Sequence, residues 1–301
     1  MQMSDREKAG LRGAVAVCET ERQWFPLQFE GRRYVARELF HVDGRRSETT
    51  REDQNGVTST HRWLYYDDNR LREETYDGTL GFRRVFNYDA ERRLSRVVRY
   101  ETNRTHVEES YLYHDATSTQ ICYPQFPEGE FSVSVSSMLH MSADAVRIVT
   151  LRDRRGNPLE KVLYNVDDRP IHRVLFVYDD SGRLVEEGEA YSDNRIRDDF
   201  RNLYRYDAHG RCIEKEMHCP FAGERYTTTY NEYGDVSETR RMSLATEIDL
   251  FLQRSWATHF SYEYDAYRNW VTCNMESRAL DTGEITHRER QHRRLEYWDR
   301  V

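Results

Sequence analysis

One seven-residue phrase recurs along this chain and limits its fold more than any other feature. Tyr178-Asp179-Asp180-Ser181-Gly182-Arg183-Leu184 returns as Tyr206-Asp207-Ala208-His209-Gly210-Arg211-Cys212. Looser copies start at Tyr88-Asp89, Tyr230-Asn231 and Tyr264-Asp265, and Tyr66-Asp67 begins one that is a residue shorter. A degenerate copy runs from Leu151 through Gly156. Other tyrosines fall between them, so that Tyr66, Tyr76, Tyr88, Tyr100 and Tyr113, then Tyr164, Tyr178, Tyr191 and Tyr206, keep a step of 10–15 residues. Internal repetition of this kind decides architecture before any local preference does.

The middle of the phrase is a turn. Asp supplies a side-chain acceptor for its own backbone, and Gly takes a positive φ without steric cost. The flanks alternate with period two: Phe260, Tyr262 and Tyr264 against Ser261 and Glu263, then Val271, Cys273 and Met275 against Thr272 and Asn274. Such alternation predicts half-buried strands, and regular spacing of short strands predicts an antiparallel meander. The expected fold is all-β: an elongated meander of stacked hairpins in one curved or coiling sheet of about 14–18 strands, with one or two short helices. A single domain over 1–301 is expected. Residues 1–12 form a helical or irregular lead in which Ser4 and Glu7 suit a capping box, residues 115–150 an irregular insertion, and residues 243–258 a short amphipathic helix.

Composition narrows the function classes. The net charge is −8 with the signs interspersed, which excludes the basic stripe of a nucleic-acid binder. Three of the 45 basic residues, Lys8, Lys161 and Lys215, are lysine and the rest arginine. Arginine's planar fork bridges carboxylates on neighbouring strands, and Arg codons also accompany a GC-rich genome. Aromatic residues make up 13% of the chain, with 21 tyrosines, so large side chains with polar tips build a core that aliphatic residues alone would leave thin. No apolar run is long enough for a membrane span. Five irregularly spaced cysteines do not make a disulfide framework, and the polar start Met1-Gln2-Met3-Ser4 is no secretory signal, so a cytoplasmic location is expected.

The Tyr-Asp-x-x-Gly-Arg-Leu phrase resembles the YD repeats of Rhs and teneurin-type proteins, in pieces over residues 60–275. The start Glu7-Lys8-Ala9-Gly10-Leu11-Arg12-Gly13-Ala14-Val15, the Asn269-Trp270 turn and the final Arg294-Leu295-Glu296-Tyr297 are similar to those of short bacterial YD-type proteins. The resemblance implies stacked antiparallel hairpins and a nearly whole chain lacking only a leader. It does not carry over a toxin shell, because the chain is too short to close one and has no Asp-Pro-Gly proteolytic segment.

No constellation selects a chemistry. Glu186, Glu187 and Glu189 offer carboxylates, and a glycosidase needs two across a cleft, but beside Arg-rich strands they read as a solvated face. Cys212, His218 and Cys219 make half a metal site without a knuckle spacing. No catalytic residue, metal or cofactor is therefore expected. Tyr178, Asp179, Gly182, Arg183, Leu184, Tyr206, Asp207, Gly210, Arg211, Tyr264 and Asp265 are assigned to repeat turns. Trp63, Trp256, Trp270 and Trp298 are candidates for a binding surface, with Trp270 also suited to plugging the end of the sheet. The expected function is a non-catalytic scaffold that binds a protein or glycan through a sheet face or edge, and that self-associates through an edge if one is left open. The alternatives are a hydrolase with an Asp/Glu site in a groove of the sheet, and an accessory or immunity-like partner of an Rhs-type system.

Overall fold

The structure is a computed structural model that describes residues 4–24, 33–79, 81–102, 104–113, 118–122, 147–190, 193–219, 222–244 and 255–298. It is all-β, an antiparallel meander of twenty strands with one four-residue helix among the described residues. The strands outnumber the expectation because several corners carry no Tyr-Asp pair. Residues fall into two compact units, 1–83 with 225–301, and 84–224.

In the first unit the strands are β1 (Val15–Trp24), β2 (Arg33–Phe40), β3 (Arg46–Glu52), β4 (Thr58–Tyr65), β5 (Leu71–Asp77), β17 (Val236–Ser243), β18 (Trp256–Tyr264), β19 (Trp270–Ala279) and β20 (Ile285–Tyr297). β1 pairs with β2 on one side and with β20 on the other, opposing Cys18 to Glu38 and to Leu295. The spatial order is therefore β17-β18-β19-β20-β1-β2-β3-β4-β5, with β1 and β20 side by side in the middle. Leu11, Val15, Cys18 and Phe40 form a buried cluster, with Ala9, Leu295 and Tyr297 against it. We call the face that carries Cys18 and Phe40 the core face.

The helix α1 (Asp5–Lys8) starts at the expected capping box: the Glu7 N–H donates to Ser4 Oγ and the Ser4 N–H to the Glu7 carboxylate at 2.7 Å. It is docked by backbone donors, Arg6 N–H to Gly44 O at 2.9 Å and Arg46 N–H to Asp5 Oδ2 at 3.0 Å. The segment after it is fixed by Asn269, which is fully buried. Its Nδ2 donates to Arg12 O and to the Tyr297 hydroxyl, both at 2.8 Å, and its Oδ1 accepts from the Arg12 N–H.

The second unit runs through β7 (Leu94–Glu101), β8 (Arg104–Tyr113), β9 (Ser118–Cys122), β10 (Arg147–Arg152), β11 (Pro158–Tyr164), β12 (Pro170–Tyr178), β13 (Leu184–Ala190), β14 (Ile196–Tyr206) and β15 (Cys212–Cys219), each antiparallel to the next. Two further strands, β6 (Phe82–Tyr88) and β16 (Ala222–Tyr230), run across the boundary between the units. The expected irregular insertion at 115–150 is corrected at both ends, where β9 and β10 pair with each other. Its middle, residues 123–146, lies outside the described residues. The expected helix at 243–258 is corrected at its C-terminal end: Trp256 opens β18, a strand held on both sides by β17 and β19. Cross-strand pairing overrides the weak helical periodicity there. Residues 245–254 of that helix lie outside the described residues.

Ten corners among the described residues share one backbone plan. The first residue donates its N–H to the carbonyl of the fifth, and the fourth donates back to the first: Asp179 N–H to Arg183 O at 2.9 Å, Gly182 N–H to Asp179 O at 2.8 Å. This is a type I turn closed by a left-handed residue, the three-residue hairpin with a bulge. The register accordingly slips at Val177/Tyr178 and at Arg205/Tyr206. Gly182 and Gly210 occupy the left-handed position at φ +78 each, and Arg92 and Arg268 take it at +64 without being glycine. The Tyr66 copy is not shortened. Its corner begins at Tyr66 itself and closes at Arg70, leaving Tyr65 in the place that Tyr178 holds elsewhere.

Candidate functional site

The repeat residues form a clamp, and each letter of the phrase has a physical task in it. Asp179 Oδ1 accepts the Arg183 N–H at 2.9 Å, which turns the corner, and Oδ2 accepts Arg183 Nε at 2.7 Å. Asp207 repeats both contacts with Arg211, at 2.9 and 2.7 Å. The hydrogen bond from the Arg183 backbone, reinforced by the guanidinium, holds the Asp179 carboxyl below the usual carboxylate range.

The tyrosine that leads a corner reaches back to the start of the preceding strand. Tyr206 donates to Leu184 O at 2.8 Å, Tyr178 to Pro158 O at 2.9 Å, Tyr113 to Leu94 O at 2.9 Å and Tyr65 to Arg46 O at 3.0 Å. In every case the acceptor is the first residue of the preceding strand, just after the corner that opens that strand. The arginine one residue earlier lies over the same ring, Arg183 over Tyr206 at 5.1 Å, Arg93 over Tyr113 at 4.4 Å and Arg45 over Tyr65 at 4.5 Å. Fork, stacking plane and fixed charge meet in one side chain, a combination lysine does not offer. Asp265 accepts the Asn269 N–H at 2.9 Å and also the Tyr297 hydroxyl, and Tyr264 donates to Asp235 Oδ2 at 2.9 Å.

In the first unit, these contacts leave a groove of 410 Å³ lined by Tyr233, Phe260, Tyr262 and Tyr264 with Asn231 and Ser237. Phe260, Tyr262 and Tyr264 share one face of β18 by strand alternation. The Phe260 and Tyr262 rings lie 6.5 Å apart and within 7° of parallel, and Tyr233 approaches Tyr264 at 4.6 Å. The corner that carries Tyr233 is held by Arg12, whose Nη2 donates to Tyr233 O at 2.6 Å and to Asp235 at 3.3 Å. Burial pushes the Tyr262 hydroxyl up, and burial with the Asp235 contact pushes Tyr264 up to about 12, so both phenols stay neutral donors.

The four tryptophans differ in exposure and in what they touch. Trp63 is half-buried and stacked on His61 at 4.1 Å, and Trp256 is half-buried at the start of β18. Trp270 lies beneath the Arg293 guanidinium, 3.4 Å from its ring centroid. Only Trp298 among them is more than a third exposed, at 41%. Tyr233 escaped the sequence reading because it stands in a corner, outside the alternation that marks β18.

The acidic and sulfur candidates are partnered within the sheet. Glu187 accepts from the Tyr204 hydroxyl at 2.7 Å and from Asn202 at 3.1 Å, Glu186 meets Arg201, and Glu189 meets Arg197 and His172. Cys212 donates to Glu214 O, His218 faces Glu216 at 2.9 Å and Cys219 is exposed. Cys212 and His218 are six residues apart on one strand, about 20 Å in extended backbone. No group of three or more metal-ligating side chains occurs among the described residues. No helix among them is long and apolar enough to cross a membrane.

No protein-family model matches the chain, and no curated protein matches it. Among solved structures it is similar to a porin-like protein from Bacteroides uniformis, at 9% identity over 95% of this chain and 99% of that one, with a TM-score of 0.38. It is also similar to a chain of the TcdB2-TccC3-Cdc42 structure, at 11% identity over 90% of this chain and 17% of that one, with a TM-score of 0.29.

Proposed function

We propose that this chain is a non-catalytic YD-repeat-type scaffold that binds a glycan through the β18 groove. The observation that carries the reading is the aromatic floor. Phe260 and Tyr262 present near-parallel rings on one strand face, with Tyr233 at the side and Asn231 and Ser237 at the rim. Ring faces take the apolar C–H side of a sugar while rim amides and hydroxyls meet its hydroxyl groups, the usual division of labour in a small-ligand site. The YD-repeat assignment is supported by the clamp, in which Tyr, Asp, Gly, Arg and the following residue each make a contact that recurs from corner to corner.

A glycan array followed by titration calorimetry tests the reading. Tyr233 is 37% exposed and stands in a corner, so Tyr233→Ala is expected to leave the fold intact. It should weaken binding of an array hit by about tenfold, equivalent to roughly 1.4 kcal/mol. An array without hits, or a hit bound equally by the variant, overturns it.

A further inference from the structure

The core face of the first unit carries a second polar cluster, none of whose members lines the groove. The strand registers oppose Cys18 to Glu38, Glu38 to Thr49 and Thr49 to His61. Directly opposed residues point the same way, so these four side chains form one row across β1 to β4. Arg293 opposes Thr20, two residues along β1 from Cys18, and therefore joins the same face in the neighbouring row. Arg46 joins through its 2.8 Å contact with Glu38.

The cluster holds more donors than acceptors. Thr49 is buried at 4% exposure, and its Oγ1 has no hydrogen-bond partner. Arg46 Nε and Arg293 Nε and Nη1 are likewise buried without acceptors. Both guanidinium groups are fixed in place. Arg293 is held by Ala9 O at 3.2 Å and by the Trp270 ring, and Arg46 by Glu38 and by the rings of Phe40 and Trp63 at 5.9 and 5.7 Å. The Arg46 side chain is 30% exposed, yet its Nε, like the Nε and Nη1 of Arg293, is shut off from water. Two positive charges face one carboxylate, Glu38. Glu74 is turned to His61 at 2.7 Å and Asp235 to Arg12, and burial raises the Cys18 thiol so that it adds no negative charge. Buried N–H groups in native proteins find acceptors, and guanidinium edges with a hydroxyl beside them match the lone pairs of an oxyanion.

We propose that this cluster is a binding site for a small oxyanion of the carboxylate or phosphate type, held by the unpaired N–H groups of Arg46 and Arg293 and by the Thr49 hydroxyl.

Calorimetric titration of the full chain with sodium phosphate and, separately, with sodium acetate at matched ionic strength tests it. Saturable binding of one probe or both is expected, and the probe that binds identifies the source of the oxyanion. Thr49→Val keeps the side-chain volume and removes only the hydroxyl, and Arg46→Gln removes one edge. Each is expected to weaken binding by about tenfold, while Tyr233→Ala, outside the cluster, leaves it unchanged. The Tyr233 control separates failure here from failure of the groove. If Arg46→Gln does not fold, Thr49→Val alone decides. No saturable heat with either probe, or equal affinity in Thr49→Val, overturns the proposal, as does a crystal grown in phosphate and acetate that shows only water on these donors.

Discussion

The Tyr206 hydroxyl donates to the carbonyl of Leu184 at 2.8 Å, twenty-two residues earlier in the chain. Leu184 opens β13, the strand before the one that Tyr206 ends, so each leading tyrosine closes the hairpin behind it rather than the one it opens. Tyr206→Phe removes this donor and keeps the ring under Arg183. It is expected to cost about 1 kcal/mol, read as a lower midpoint in urea at unchanged slope. A change below a few tenths would mean that the ring alone makes the clamp.

Arg183→Lys separates charge from geometry. The ammonium retains attraction to Asp179 but loses both the fork and the stack on Tyr206. A loss of about 0.5–1 kcal/mol is expected, against no measurable loss for Arg154→Lys, an exposed arginine in the neighbouring corner. Equal effects in the two variants would reduce the repeat arginine to a solvated charge.

The left-handed corner residues predict opposite signs for one kind of exchange. Arg268 sits at φ +64, where a side chain crowds its own backbone, so Arg268→Gly is expected to stabilise by about 0.5–1 kcal/mol. Gly182→Ala forces a Cβ into that region 3.3 Å from Arg155 and should destabilise by about 1 kcal/mol or more. Thermal melts of the two variants against the parent check both signs.

Asn269→Ala empties a fully buried amide position, orphans both the N–H and the carbonyl of Arg12, and leaves the Tyr297 hydroxyl only its contact with Asp265. About 2–3 kcal/mol is expected, with faster amide exchange at Arg12.

Stability should fall at both ends of the pH scale. The Asp179 and Asp193 carboxyls titrate below their ordinary value in the fold, Asp179 chiefly through the Arg183 backbone N–H and Asp193 through the Arg195 side chain. Their contribution is complete above the unfolded value of about 3.9 and is lost as pH drops through the lower folded value. Tyr65 and Tyr264 are pushed up to about 12, burial being the main cause. Their contribution is complete below about 10, the unfolded value, and disappears as pH climbs toward the folded one. Circular dichroism across pH, with phenolate absorbance at the alkaline end, checks both limbs. Tyrosines titrating at the ordinary value with the fold intact would contradict the second.

The corners marked Tyr-Asp-x-x-Gly-Arg were legible because several local contacts fall on fixed spacings. The corner opened by His41 was not, since its fifth residue, Arg45, pairs instead with Asp43 in the turn and its left-handed glycine stands among ordinary loop residues. The groove was half legible: Phe260, Tyr262 and Tyr264 show in the alternation, whereas Tyr233 is brought beside them only by tertiary pairing. The row Cys18, Glu38, Thr49 and His61 left no local sign, because its alignment depends on three successive registers and a one-residue slip in any of them would break it.

The insertion of β1 between β2 and β20 has a consequence for how the protein is made. Arg293 holds Ala9 across 284 positions. During synthesis, then, Val15–Trp24 has only one of its two neighbours, β2, until Ile285–Tyr297 has been added. The segment 84–224 is continuous, and its strands β7 to β15 pair in chain order. The first unit is completed only after the second has been made, and one edge of β1 stays open in the interval.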